Sequence, residues 1–224
     1  MTGNIQALTS KSSITANFSG PNSSLKGDVK SLGEYALGKI YDDNVINLNM
    51  TGDYAAHTGN LVAEGNNTLN AAYTGQHSLL TGNVVNSGIM NLTLDNQSVM
   101  NGNIVNSTKS YHENQTFDGQ LKAEFKNGSL WNGNLDADSG TASVSLQNSS
   151  WNGTAKGDGD ISLTERSLWQ MTADSAARSV DVDAGSIVSL TGAAKKLEVQ
   201  KLGGSGGQFL MDLKYGNDDV DTYR

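Results

Sequence analysis

The sequence repeats one short unit at intervals that are often close to twenty residues, and this period limits the folds open to the chain. Each copy has a large apolar residue, a small polar residue, Gly, usually Asn, Asp or Gln, and usually a second apolar residue. Clear copies begin at Leu80, Met100, Trp131 and Trp151. A fixed period of this length is typical of stacked-repeat folds, in which each repeat buries its apolar side against its neighbours.

Stretches between the units alternate apolar and polar residues, as in residues 46–50 and 142–146. This alternation predicts strands that send every second side chain inward. Gly permits a positive φ angle at a corner, and Asn tolerates left-handed backbone better than most residues. We therefore predict an all-β fold, a right-handed parallel β-helix (solenoid) with a C-terminal capping region. Roughly ten coils, stacked about 4.8 Å apart, would span about 50 Å.

The three Trp residues give the sharpest structural expectation. Trp131, Trp151 and Trp169 follow one another at nearly the repeat spacing, so we expect them to stack as one column in the core. Asn132 and Asn152 follow the first two, and we expect their amides to hydrogen-bond to each other as a corner ladder. The main alternative is a β-sandwich or barrel, whose turn signals recur about every 8–12 residues. That alternative does not explain Trp at a near-constant interval.

Two regions are expected along the chain. Residues 1–165 carry the predicted coils, with an interruption at about 31–45, where no copy of the unit occurs and a loop or short helical excursion is expected. Residues 166–224 differ in pattern and include the Gly-rich run 203–207. We predict a C-terminal cap there, because the open end of a stack exposes unpaired backbone and core.

Composition excludes several classes of function. Hydrophobic residues make up 36% of the 224 residues, below the ~45–50% of an average globular protein, but their alternating placement argues against a disordered linker. The net charge of −8 argues against binding of nucleic acid, or of an anionic membrane, by the molecule as a whole. No apolar run reaches the ~18 residues that a membrane-spanning helix needs.

One segment is similar to the nucleophile loop of chymotrypsin-like proteases, namely Asp138-Ser139-Gly140-Thr141. That loop requires Gly before Asp, where this chain has Ala137, and a Ser nucleophile requires a His base. The His residues are His57, His77 and His112, and the first two lie beside repeat glycines, where a coil corner explains them. We predict no catalytic residue and no enzyme activity.

Two Gly-rich segments can be compared with calcium sites. The run 203–208 is similar to the Gly-rich calcium nonapeptide, but Gln208 stands where a ligand Asp is expected and no second copy exists. Asp158 and Asp160 lie at alternate positions and could share a calcium ion, although a polar turn between coils explains them more simply. We predict no metal and no cofactor.

Parallel β-helices also include polysaccharide lyases, which need clustered Asp residues beside a Lys or Arg base. Basic residues are sparse in the central coils, and we expect none of them to stack at the coil period with an acidic partner. They are Lys109, Lys122, Lys126, Lys156 and Arg166. The chain also has Asn-x-Ser/Thr sequons, which we interpret as parts of Asn ladders rather than as glycosylation sites. Among them are Asn91, Asn96, Asn106 and Asn148.

The C-terminal part of the chain resembles a known family. Residues 167–175 (SLWQMTADS), 197–199 (LEV) and 202–211 (LGGSGGQFLM) are similar to the C-terminal end of the pertactin-like passenger of autotransporters. The Asn-Ser-x-Trp-Asn-Gly coils upstream resemble the passenger of the self-associating adhesins of that class. The resemblance covers about residues 90–215, and the first 45 residues only weakly.

This resemblance implies both a function and a location. The region after Trp169 would be an autochaperone that folds first outside the outer membrane, and a translocator β-barrel of the same parent chain would follow it. The chain would be a passenger fragment on the surface of a Gram-negative bacterium, exported across the outer membrane. It would act in adhesion or self-association, with other copies of itself or host-surface glycan or protein as partners.

A long polar face of Asn, Thr, Ser and Asp fits that role, because contacts repeated at about 4.8 Å can bind through many weak bonds. Two alternatives stay open. One is a β-helix polysaccharide lyase or hydrolase, and the other is an inert stalk that carries its function elsewhere. The sequence does not indicate which face would bind.

Overall fold

The computed structural model describes residues 1–36, 39–111, 115–212 and 222–223. Strands make up most of these residues and no helix occurs among them, so the predicted all-β class is confirmed. It follows that the described ranges hold no helix long and apolar enough to cross a membrane.

Short strands alternate with long ones along the chain. The strands of the first half are β1 (Ile5–Ala7), β2 (Ser13–Phe18), β3 (Ser24–Lys26), β4 (Val29–Ser31), β5 (Glu34–Ala36), β6 (Lys39–Tyr41), β7 (Val45–Met50), β8 (Ala56–Thr58), β9 (Leu61–Tyr73), β10 (Leu79–Thr81), β11 (Val84–Leu94), β12 (Val99–Asn101), β13 (Ile104–Asn106) and β14 (Thr108–Tyr111). Those of the second half are β15 (Gln115–Asp118), β16 (Gln120–Lys126), β17 (Leu130–Asn132), β18 (Leu135–Gln147), β19 (Ser150–Gly153), β20 (Ala155–Thr164), β21 (Leu168–Met171), β22 (Ser175–Val182), β23 (Ile187–Ser189), β24 (Lys196–Gly203), β25 (Gln208–Leu210) and β26 (Thr222–Tyr223).

Two large sheets contain most of these strands, and the described pairings within both are parallel. One sheet has nine strands in the order β3-β8-β10-β12-β17-β19-β21-β23-β25. The other has 13 strands and includes the long strands β9, β11, β18 and β20. The paired residues Asn132 and Asn152 are 20 positions apart, as the repeat predicts. Roughly ten stacked coils were expected, and nine strands stack in the first sheet.

Two antiparallel hairpins explain why some repeats are longer. β14 and β15 form one hairpin, between β13 and β16, and the paired residues Asn101 and Asn132 are accordingly 31 positions apart. β5 and β6 form the other, between β4 and β7. In neighbouring repeats a single continuous strand, such as β9 or β11, occupies the position at which the longer repeats carry a hairpin. The expected loop or short helix at 31–45 is thus wrong, because Glu34–Ala36 and Lys39–Tyr41 pair as strands, although this pair does lie outside the two large sheets, as an excursion from the stack would.

The second residue of each strand in the nine-stranded sheet points into the core. In strand order these residues are Leu25, His57, Leu80, Met100, Trp131, Trp151, Trp169, Val188 and Phe209. The predicted Trp column is confirmed, since adjacent indole rings have centroids 4.5 Å apart and planes inclined by 6°. Phe125 of the other sheet stacks on Trp131 at 5.3 Å and joins the two sheets.

The Trp side chains also hold the corners of the repeats. The indole N–H of Trp131 donates to the carbonyl of Gly102 at 2.9 Å, and that of Trp151 donates to Gly133 at 2.8 Å. These glycines lie directly over one another, so that a Cβ added to Gly133 would lie 1.9 Å from the Gly102 oxygen. Gly is therefore required at this corner by the close approach of successive backbones.

Candidate functional site

The outer surface of the 13-stranded sheet carries ladders of Asn side chains. The amide nitrogen of Asn91 donates to the amide oxygen of Asn70, which donates in turn to Asn47, both at 2.8 Å. Asn49 donates to Asn17 at 2.8 Å in a second row. Asn70, in the middle of the first row, uses one donor and one acceptor within the ladder, which leaves its second N–H and second lone pair for other partners.

Two further ladders run beside the repeat corners. The predicted amide ladder is confirmed, since Asn152 donates to Asn132 and Asn132 donates to Asn101, both at 2.9 Å. A second ladder uses the Asn that follows each Gly. The side-chain oxygen of Asn103 accepts the backbone N–H of Asn134 at 2.9 Å. Side chains of this second ladder hold the backbone of the next repeat instead of bonding to one another.

Buried Ser residues form a column that the sequence analysis missed. Ser98, Ser129 and Ser167 are buried, and each hydroxyl donates to the carbonyl three residues earlier, at 2.5, 2.7 and 2.7 Å. Each bond closes the turn that leads into a strand of the nine-stranded sheet. The signal in the sequence is a Ser that recurs two positions before the inward-pointing residue.

The His residues do not form a catalytic centre in the described part of the chain. His57 is fully buried in the core column, so its interpretation as a corner residue is wrong. Its ring nitrogens lie 2.6 Å from the Tyr73 hydroxyl and 2.9 Å from the Gly27 carbonyl. His77 does lie at a corner, with a φ angle of 57° and its ring beside Tyr54. His112 lies outside the described residues.

Ser139 of the protease-like segment has a structural role. Its hydroxyl oxygen accepts the backbone N–H of Thr108 at 2.7 Å, which anchors the start of the hairpin β14–β15. Within the described ranges, no His ring forms a hydrogen bond with this hydroxyl. The segment therefore has no activated nucleophile of the Ser-His type here.

Acidic and basic side chains do meet at the repeat spacing, and the expectation that none would do so is wrong. Lys156 pairs in register with Asp136, and its ammonium lies 3.8 Å from that carboxylate and 3.1 Å from Asp138. Burial and the neighbouring Asp138 raise the pKa of Asp136. Ion pairs also involve Lys109, Lys122 and Lys126, with Glu64 and Glu124 as their partners. Parallel pairing places Lys156 beside Asp136, twenty positions earlier, whereas Lys122 and Lys126 lie two positions from Glu124 on the same strand face.

A shallow groove on the same sheet holds the strongest polar cluster. The carboxylate of Asp160 accepts two hydrogen bonds from the Arg178 guanidinium, and Ser179 donates to it at 2.7 Å. Arg178 holds the pKa of Asp160 below its ordinary value, so the carboxylate is ionised at neutral pH. Ser143, Asp181, Gln200 and Lys201 also line the groove.

The calcium interpretation of Asp158 and Asp160 gains no support from this geometry. Asp160 is engaged by Arg178, and Asp158 accepts a hydrogen bond from Gln200 at 3.2 Å. Across the described ranges, no group of three or more His, Asp or Glu side chains is placed to hold a metal ion.

The sequon Asn residues occupy defined structural positions. Asn91 belongs to an amide ladder, and Asn96 donates to the Thr74 carbonyl at 2.8 Å. Asn106 is fully buried and accepts from the amide of Asn86, at 2.7 Å. Asn148 lies at a corner with a φ angle of 48°.

The outer surface of the nine-stranded sheet is less polar than that of the 13-stranded sheet. In most of its strands the residue before the inward-pointing one faces outward, is partly exposed and is apolar. Lys26 is the one residue in these nine strands that carries a formal charge at neutral pH. This face is therefore uncharged over almost its whole length.

No protein-family model, curated protein or solved structure matches the chain.

Proposed function

We propose that the chain is a right-handed parallel β-helix, a solenoid, whose repeating outer faces mediate self-association or adhesion at a cell surface. The observation that carries this proposal is the stacking of identical side chains from repeat to repeat, as in Asn132 on Asn152 and Trp131 on Trp151. Right-handed winding is supported by the general rule that parallel crossover connections are right-handed in about 98% of cases.

Periodic faces of this kind favour binding through many weak contacts. Each amide of the ladder Asn47, Asn70 and Asn91 keeps hydrogen-bonding capacity toward solvent. Contacts that are weak singly become strong when several form together, because each bond after the first forms at a high effective concentration. A partner with the same spacing of about 4.8 Å, such as another copy of the chain, would match one of these periodic faces best.

The resemblance of residues 167–211 to autotransporter passengers adds the biological setting. On that proposal the chain is a passenger segment displayed on the outer surface of a Gram-negative bacterium. Residues 166–224 would then be the C-terminal cap that assists folding of the repeats before it. Host-surface glycan or protein is the alternative partner to a second copy.

The proposal is tested with beads that carry the purified chain at several surface densities. We expect the beads to clump in buffer, or to attach to host cells, with a steep dependence on density because binding is multivalent. Beads that carry an unrelated protein of similar net charge are the control. Beads that neither clump nor attach at any density would leave the inert stalk as the better description.

A second candidate function is polysaccharide cleavage, which the groove around Asp160 and Arg178 suggests. In that groove the Asp160 carboxylate is paired with Arg178, and the pKa of Arg178 is raised by that carboxylate, which disfavours Arg178 as a base. We therefore propose a role other than enzyme catalysis. Incubation of the chain with a panel of acidic and neutral polysaccharides tests for cleavage. If new reducing ends are released by wild type and not by the Asp160→Asn variant, polysaccharide cleavage would become the favoured function.

A further inference from the structure

We propose that the nine-stranded sheet is the face through which two copies of this chain associate, with their stacks running in opposite directions. This inference rests on the proposed self-association and deepens it by naming the surface and the register. It places the contact on an uncharged apolar stripe rather than on the Asn ladders of the other sheet.

The stripe consists of the outward residue that precedes the core residue in seven consecutive strands. In strand order these residues are Ala56, Leu79, Val99, Leu130, Ser150, Leu168 and Ile187. All seven are partly exposed, and six of them are apolar. Their register in the parallel sheet sets them in one row with a spacing of about 4.8 Å. A contiguous apolar row that stays partly exposed is a candidate for contact with another molecule.

Charge favours a second copy as the occupant. The chain has a net charge of −8, so two copies repel each other over most of their surfaces. The outer face of the 13-stranded sheet carries acidic side chains such as Glu64, Asp138 and Asp160, each beside a Lys or Arg. The strands of the nine-stranded sheet carry only Lys26, at one end of the stack. Copies that meet through this sheet avoid the repulsion between carboxylates.

The order of residues in the stripe is self-complementary. A two-fold axis through Leu130, parallel to the strands, reverses the row and makes an isologous contact. It sets large residues against small ones or against residues of equal size. The resulting pairs are Ala56 with Ile187, Leu79 with Leu168, Val99 with Ser150, and Leu130 with its own copy.

The dimensions of the face suit a weak contact that gains strength by repetition. Nine strands at about 4.8 Å give a length of about 38 Å, and strands of three residues give a width of about 10 Å. The product is about half of the ~800 Å² that each partner contributes to a standard protein interface, so stable association would need several copies that meet together. The ladder of Asn101, Asn132 and Asn152 borders the stripe and would form a polar rim.

Chemical cross-linking of introduced Cys residues tests the register, because the chain contains no Cys. We expect a short bismaleimide to link two copies of Leu130→Cys, because sheets packed face to face lie about 10 Å apart, which is too far for a direct disulfide. We expect the same reagent to link Leu79→Cys to Leu168→Cys in a mixture of the two variants. Leu79→Cys alone should link far less, since its two copies would be about 19 Å apart along the stack in addition to the separation of the sheets. Equal linking of all single variants would overturn the antiparallel register.

A charge substitution tests the face itself. We expect Leu130→Glu to weaken dimerisation at least about tenfold in sedimentation equilibrium, because each dimer would bring two carboxylates together on an apolar stripe. Val85→Glu is the matched control, since Val85 is an outward apolar residue of the other sheet that is 38% exposed. Equal dimerisation of Leu130→Glu and wild type would overturn the inference.

The bead assay separates failure of this inference from failure of the proposed function. Beads with the wild-type chain that clump, and that still clump with Leu130→Glu, would retain self-association and reject this face. Wild-type beads that neither clump nor attach to cells would reject both. If Leu130→Glu fails to fold, as judged by circular dichroism, the cross-linking result decides.

Discussion

The Nδ1 atom of His57 lies 2.6 Å from the phenolic oxygen of Tyr73 inside the core, and this bond joins the two sheets. The Nε2 atom lies 2.9 Å from the carbonyl oxygen of Gly27. A carbonyl only accepts hydrogen bonds, so Nε2 carries the proton and Nδ1 accepts the hydrogen of Tyr73. His57 thus sits as a neutral ring in a column where the adjacent repeats place Leu25 and Leu80.

We predict strong coupling between His57 and Tyr73. His57→Leu leaves the Tyr73 hydroxyl buried without its partner, and Tyr73→Phe leaves Nδ1 unpaired. Each single substitution should cost about 1–3 kcal/mol of unfolding free energy. The double variant should lose clearly less unfolding free energy than the sum of the two single losses. It removes both partners of this bond, so neither the Tyr73 hydroxyl nor Nδ1 is left buried without the other. Urea unfolding of the four proteins measures the coupling, and additive losses would contradict it.

A dependence of stability on pH follows from the same ring. Burial lowers the pKa of His57 in the folded chain, outweighing the Gly27 hydrogen bond and the Asp28 charge that raise it. The unfolded chain, with an ordinary His pKa near 6.5, therefore binds a proton first as the pH falls. The contribution of His57 to stability should be constant above that pH and should decrease as the pH falls through it.

This pH dependence is measured by urea unfolding at about pH 7.5 and about pH 5.5. The variant with both His57→Leu and Tyr73→Phe should lose less stability between these two values than wild type. Asp160, whose pKa is lowered by Arg178, loses its contribution only as the pH falls below about 4. An equal loss in wild type and double variant would show that His57 is not its source.

The features that the sequence predicted well depend on spacing alone. The stacking of Trp131 on Trp151 and the amide bond between Asn132 and Asn152 follow from a repeat of constant length. Both are local consequences of parallel register, because residues at equivalent positions must lie beside each other. No knowledge of the rest of the chain is needed to place them.

The features that the sequence analysis missed depend on context. His57 is a polar residue at the inward-pointing position of its repeat, and its burial depends on two partners from other parts of the chain, the hydroxyl of Tyr73 and the carbonyl of Gly27. The pairing of Lys156 with Asp136 requires the register of β18 on β20, which is interrupted between Ala137 and Ala142. The hairpin of β5 and β6 contains no copy of the repeated unit, so nothing in the period indicated its strands.

Removal of the central Trp should be costly. Trp151 stacks between Trp131 and Trp169 and donates its indole N–H to Gly133. We expect Trp151→Ala to lower the unfolding free energy by about 3–5 kcal/mol, because it leaves a large cavity and a carbonyl without its donor. Val85→Ala, at a partly exposed site, should cost less than about 1 kcal/mol. Similar losses in both variants would show that the stacked Trp residues contribute no more to the unfolding free energy than a partly exposed side chain does.

The ladder after the Gly corners predicts a difference between two substitutions of Asn103. Its side-chain oxygen accepts the backbone N–H of Asn134, and Asp28 makes the same bond to Asn60 in an earlier repeat, at 2.8 Å. Asn103→Asp keeps this acceptor and should change stability little. Asn103→Ala removes it and should cost about 1 kcal/mol. Thermal unfolding of both variants measures the difference, and equal losses would show that the bond contributes nothing.

The corner at Gly133 gives a test of the stacking distance itself. A Cβ at this position would lie 1.9 Å from the carbonyl oxygen of Gly102, and the obstructing atom belongs to the backbone. Gly133→Ala can therefore be accommodated only if the two repeats separate locally, which would weaken the bond from Trp151 to the Gly133 carbonyl. We expect a loss of at least about 2 kcal/mol in urea unfolding. At Gly20 a Cβ would lie 3.4 Å from the Ser23 hydroxyl oxygen, so Gly20→Ala should be neutral or slightly stabilising. If Gly133→Ala unfolds at the same urea concentration as Gly20→Ala, the successive corners lie farther apart in solution than this packing requires.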